Sequence, residues 1–371
     1  MVGSSSSAAG NGRSSLGQDA LAAIAIFVVA LPMNLGIGHA SGAPLHAALV
    51  SGVVGALLVG ALSGSSIGVT GPAAGLAAIV ALQIRTLGSF DAFLLAVVLA
   101  GLMQIGLGAL RAGWLAHFVP SSVLRGLLAA IGLLLILKQL PHLFGHDADY
   151  EGDLTFAQLD GDNTFTALRT TFDEALPGAT LIGLAALVLL VVWERTPLRR
   201  LIAVRVLAAV ALGVFVNELL HWLGSPWALA GAHLVRVPRF DGNGAAAALL
   251  HLPDLSRLFD GAVWRAALTL AAVASLESLL NLEATDKLDP ERRVSPPDRE
   301  LWAQGTGNVV AGLIGGLPMT MVIVRSTVNV TAGGRTRAAT MLHGGLLLIA
   351  VLFLVPALNR VPLAALAAVL L

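Results

Sequence analysis

The chain has 371 residues, 56% of them hydrophobic and only 12% charged, with 22 basic against 22 acidic side chains and a mean hydropathy of +0.84. A soluble domain carries about a quarter charged residues, so this composition argues against a water-soluble globule. Zero net charge offers no basic surface to nucleic acid, and the lack of cysteine excludes disulfides and thiolate metal sites.

Residues 1–19 are polar and Ser-rich and read as a disordered cytoplasmic tail. The apolar run Ala20–Ile37 would suit a signal peptide, but so many runs follow that it is read as an uncleaved first transmembrane helix. Pro32-Met33-Asn34 interrupts it, and Asn34 either lines a cavity or bonds a neighbouring helix. Spans approaching the ~20 residues that cross a bilayer are expected near 20–38, 45–63, 70–84, 90–110, 122–140, 178–194, 202–222, 262–284, 301–316, 318–331, 338–358 and 361–371. The third and tenth are short and follow Gly/Pro breaks, VTGP at 69–72 and GGLP at 315–318. Interrupted segments at matching places in two halves of a chain point to a transporter site.

The expected fold is therefore an all-α polytopic membrane protein built as a seven-plus-seven inverted repeat. One transmembrane domain covers 20–371, with a first repeat over about 20–222 and an incomplete second over about 262–371. The chain stops at Leu371 inside the apolar run Pro362–Leu371, which reads as C-terminal truncation to about twelve segments. With the N-terminus inside, the basic stretch holding Arg195, Arg199, Arg200 and Arg205 is cytoplasmic, as are Arg335 and Arg337. The long acidic loop 145–174, with Arg169 its one Lys/Arg, is outside.

Arg325 is the residue of most interest. A cation at membrane depth costs ~2.5–3.5 kcal/mol even on lenient insertion scales, so it is paired or functional. A helix restarting at Pro318 would aim free amides and a positive dipole end into the interior, and arginine beside a helix start makes an anion site. The stretch Met321, Val322, Ile323 and Val324 supplies those amides. The alternative is an arginine that locks two helices by pairing a carboxylate. Glu277, with Asn281 one helical turn on, is expected to take a proton, hold sodium with oxygen ligands, or neutralise Arg325. At the other break, Thr70, Gly71 and Ala73 open a half-helix whose small residues let an anion approach the backbone, unless they form a plain capped start. His142 and His146 are read as loop residues after Pro141 without metal-ligand spacing, and no metal is expected beyond sodium at Glu277. Asn329-Val330-Thr331 matches a glycosylation sequon by chance. No P-loop, nucleophile elbow or H-E-x-x-H pattern appears, so no enzyme and no cofactor is expected.

QGTGNVVAGLIGGLP and VRSTVNVTAGGRTR within 304–337, VTGPAAG at 69–75, SLESLL at 275–280 and VPSSVLRGLLAAIGLLLILKQL at 119–140 together resemble the SulP anion-transporter family. The resemblance implies fourteen segments in two inverted repeats, a core and a gate domain, and an anion held between the third and tenth helices. By position it assigns the positive field to Arg325, the third-helix start to Thr70, a sodium- or proton-linked acid to Glu277, and the anion-facing backbone to 321–324. It also implies a homodimer. Most relatives carry a C-terminal STAS domain, and this sequence shows none. The loop 147–174 and the stretch 283–290 resemble a subgroup with a fused carbonic anhydrase domain. The function expected is secondary transport of bicarbonate or sulfate across the bacterial inner membrane, coupled to sodium or protons or run as exchange. The competing readings are a nucleobase transporter of the same fold, disfavoured by the absence of aromatics in span ten, and a non-transporting anion-binding membrane fragment.

Overall fold

Inside lipid a segment must satisfy its own backbone, so the apolar runs become helices. The computed structural model describes residues 8–114, 121–147, 164–173, 175–196, 202–236 and 251–371. In chain order the main helices are α1 (Ala8–Ala40), α2 (Leu45–Val54), α3 (Ala77–Leu87), α4 (Phe90–Ala109), α5 (Ser121–Phe144), α6 (Thr164–Asp173), α7 (Pro177–Trp193), α8 (Ile202–Trp222), α9 (Gly261–Leu288), α10 (Pro297–Leu313), α11 (Ile323–Thr331), α12 (Arg337–Phe353), α13 (Val355–Leu358) and α14 (Leu363–Leu370). Five helices among the described residues are long and apolar enough to cross a membrane. One of these is α2, extended by the π-helical stretch Gly55–Val59 to Leu62.

Local chemistry sets the ends. Gly88 closes α3 with a positive φ of 72°, and the Ser89 hydroxyl then accepts the Ala92 amide at 3.1 Å to start α4. Asp260 caps α9 in the same way, at 2.8 Å from the Ala262 amide.

Five expectations are corrected. Residues 8–19, read as part of a disordered tail, are the first turns of α1, and Asp19 is buried against the start of α12. The second break does not restart a helix at Pro318. An extended strand, β2 (Met319–Met321), intervenes, and the helix begins at Ile323. The acidic loop holds a ten-residue helix, α6, which buries Thr164 and Thr171 two turns apart. The eleventh span breaks at Leu354, where Pro356 forces a new start for α13. His142 lies in the last turn of α5, which runs through Pro141.

The first break also carries a strand, β1 (Thr70–Pro72), followed by the 3-10 turn Ala74–Leu76. β1 and β2 pair antiparallel.

Helices pack in two groups. α4 lies against α9 and α10 over a core that includes Phe93, Leu95 and Leu270. α5, α7, α8 and α14 form the second, around Leu143, Ala186, Ala209 and Ala367. α1 packs on α12 and also touches α8 and α11. Glycine brings α4 and α10 into backbone contact. A β-carbon on Gly101 would stand 2.6 Å from the Gly305 carbonyl, and one on Gly305 would stand 2.6 Å from the Gly101 carbonyl. Such small-residue contact is how membrane helices gain van der Waals attraction without a hydrophobic drive.

Candidate functional site: two paired breaks beside a cavity

The two breaks meet. Thr70 is opposite Met321, Gly71 opposite Thr320 and Pro72 opposite Met319, and the Val322 amide donates to the Val69 carbonyl at 2.9 Å. Extended backbone at this depth needs a partner for each polar group, and polar side chains from surrounding helices supply them. Asn308 of α10 accepts the Met319 amide at 2.7 Å and donates to the Met319 carbonyl at 3.1 Å. Asn281 of α9 donates to the Met321 carbonyl at 2.7 Å. Gln304 of α10 donates to the Thr70 hydroxyl at 2.8 Å. From α11, Asn329 donates to the Ile67 carbonyl at 2.8 Å, and the Ser326 hydroxyl accepts the Val69 amide at 3.0 Å.

A cavity of about 430 Å³ lies beside the pair. The first residues of both restarts line it, Ala73, Ala74 and Gly75 from one and Val322, Ile323 and Val324 from the other. α9 adds Glu277 and Asn281, and α1 adds Met33 and Ile37. The opening amides of α11 have no acceptor within their helix, so the positive end of its dipole faces this space. Glu277 lies against the opposite restart: a β-carbon on Gly75 would be 3.0 Å from its Oε1.

Of the expected residues, Ala73, Val322, Ile323, Glu277 and Asn281 are thus brought together around one cavity. Thr70, Gly71 and Met321 form the strand pair beside it and do not line it. Arg325 does not line it either. Its side chain is wholly buried, and its Nη2 donates to Asn34 Oδ1 at 2.5 Å. Its Nη1 presses on Gly71, where any side chain would collide with it. Among the described residues no carboxylate pairs with Arg325, so neither Glu277 nor a helix-locking acid neutralises it.

Gln304, Asn308, Ser326 and Asn329 hold the breaks together, and the sequence reading gave them no role. A signal was present. Gln304 and Asn308 are one turn apart in a helix of small and apolar residues, where each amide needs a partner.

A polytopic helical membrane protein with two broken segments meeting over one cavity has the architecture of a secondary transporter. The chain belongs to the sulfate permease family, whose family model matches residues 16–371. It is similar to YvdB of Bacillus subtilis, 27% identical over 359 residues, a match covering 95% of this chain and 63% of that protein. It is also similar to the bicarbonate transporter BicA of Synechocystis, 26% identical over 278 residues, covering 74% of this chain and 44% of BicA. The chain therefore spans less than two thirds of these relatives' length. Among solved structures, the transmembrane domain of a cyanobacterial bicarbonate transporter BicA superposes with a TM-score of 0.67 at 24% identity, covering 96% of this chain and 87% of that one.

Proposed function

We propose that this chain carries out secondary active transport of a small inorganic anion, bicarbonate or sulfate, by alternating access. One observation carries the reading. Helix starts from the two halves of the chain open on one cavity, tied by backbone bonds, with a buried guanidinium directly beside them that no carboxylate among the described residues neutralises. Free amides at helix starts favour an anion, and the Arg325 charge acts across a low-dielectric interior. Membership of the family and the name of its relative BicA support a small inorganic anion as substrate.

Glu277 and Asn281 are the residues for the coupling ion. A carboxylate and a carboxamide at the cavity wall suit sodium or a proton. In this reading the group around α3, α4 and α9–α11 is the core, and the group of α5, α7, α8 and α14 is the gate against which it moves. The chain resides in the bacterial inner membrane with its N-terminus cytoplasmic, and a homodimer is the assembly to test.

The experiment is flux of radiolabelled bicarbonate and sulfate into proteoliposomes, with and without sodium. Wild-type protein accumulates one of the two against a gradient. Arg325→Ala lowers that uptake by roughly tenfold or more, the equivalent of ~1.4 kcal/mol, while still purifying as folded protein. Uptake unchanged in that variant removes the role given to the guanidinium.

A further inference from the structure

The cavity wall differs in character from the restarts that open on it. Met33 and Ile37 of α1 and Val273, Leu276 and Leu280 of α9 make it aliphatic. Val273, Leu276, Glu277 and Leu280 fall at i, i+3, i+4 and i+7, so one face of α9 presents both the aliphatic strip and the carboxylate. Among the described residues, no lining side chain is cationic and none carries a hydroxyl. Asn281 already donates to the Met321 carbonyl at 2.7 Å, and Arg325 stands outside the lining, bonded to Asn34. The donors left to meet an anion are backbone amides at the helix starts.

An anion leaving water must regain hydrogen bonds, and a dianion needs more of them than a monoanion. A tetrahedral dianion finds few donors here and meets the Glu277 carboxylate on the wall. A monoanion asks less of the amides and is repelled less by that carboxylate. The aliphatic wall offers an inorganic ion nothing. It does shelter an alkyl chain from water, which is favourable for each methylene buried. The volume of about 430 Å³ lies within the ~300–1,000 Å³ of sites that enclose small organic ligands, and such sites combine mostly apolar walls with a few placed polar groups.

We propose that this cavity takes a monovalent organic anion with a short unbranched apolar tail, an alkanesulfonate or a short-chain carboxylate, in preference to sulfate. The assignment rests on the anion-transport reading above and names a substrate class for that same site. The anionic head lies at the start of α11, where the free amides are, and the tail runs along the α1 and α9 side chains.

Alkanesulfonates suit the test because their charge is permanent and no neutral acid form leaks through lipid. Binding of methane-, ethane-, propane- and butanesulfonate, and of sulfate, to purified wild-type protein is measured by titration calorimetry. Affinity is expected to rise about fourfold per methylene, the gain from one CH₂ leaving water, with sulfate weaker than butanesulfonate. The carboxylates acetate to valerate, run in parallel, rise likewise because the tail decides. Val273→Thr combined with Leu280→Thr puts hydroxyls into the wall and cuts the gain to less than about twofold per methylene. A flat wild-type series for both heads, sulfate binding as tightly as butanesulfonate, or a double variant that keeps the wild-type slope overturns the proposal. Uptake of radiolabelled butanesulfonate into proteoliposomes is the second arm. A rising binding series without uptake of any anion upholds the ligand class and removes the transport reading. Sulfate or bicarbonate uptake beside a flat binding series removes the ligand class alone.

Discussion

Arg325 heads the fully enclosed side chains by size, and its placement depends on a neighbour with no side chain at all. Gly71 leaves the space that the Arg325 Nη1 fills. Gly71→Ala is expected to displace the guanidinium and to abolish anion uptake in proteoliposomes, while the elution profile in detergent still shows folded protein. Asn308 carries a different burden. Asn308→Ala leaves the Met319 amide and carbonyl without their side-chain partner. The expected loss is ~1–3 kcal/mol, read as a lower midpoint in denaturant unfolding of the purified protein. These two residues also show what the sequence can tell. A lone arginine in an apolar run announces itself, because lipid makes a cation expensive. An asparagine among small residues announces that it needs a partner but not which one, because the same residue serves equally as a bond between any two helices.

At the level of elements, most spans were legible because a bilayer leaves the backbone few choices. The breaks were legible as positions and not as shapes. Gly and Pro mark where a helix stops, but strand pairing between 70–72 and 319–321 depends on residues 247 to 251 positions apart meeting, which no local pattern records. α6 was missed since a ten-residue helix in an acidic loop has no apolar run to betray it. Helix contact yields a direct prediction. Gly305→Leu places a branched side chain where even a β-carbon is 2.6 Å from the Gly101 carbonyl, so α4 and α10 must part, and the folded fraction recovered in detergent should fall severely.

Outside the membrane-spanning helices, Asp147 joins the end of α5 to the turn at 231–233. It accepts from His142 Nδ1 at 2.7 Å and His233 Nδ1 at 2.6 Å. The bond to Asp147 holds His233 above the usual 6.5. Burial alone would raise Asp147, but the bonds from both histidines outweigh it and hold the carboxyl below its usual 3.8. The raised histidine contributes stability that is complete below pH 6.5 and fades as pH rises through its folded value. The lowered aspartate contributes above pH 3.8 and fades in stronger acid. The thermal midpoint in detergent should therefore decline from pH 6 to 8, and His233→Ala should flatten that decline.

For the molecule as a whole, the chain's lack of cysteine makes the proposed alternation directly measurable. A single cysteine at Val324, on the cavity wall, should react with a membrane-impermeant thiol reagent from one side at a time. Saturating the substrate anion should slow the reaction, and equal reactivity from both sides at once would describe an open pore instead. In the proposed cycle the two packing groups are the bodies that move. The backbone ladder between the breaks constrains how they do so. Met319, Met321 and Thr70 are also stitched to α9 and α10. The holder formed by both halves of the chain is in effect one riveted part, so its two lips cannot separate like jaws to release cargo. Under the proposed transport cycle, the motion that exposes the cavity to either side must carry that part intact, and the doors must be cut in the panels around it.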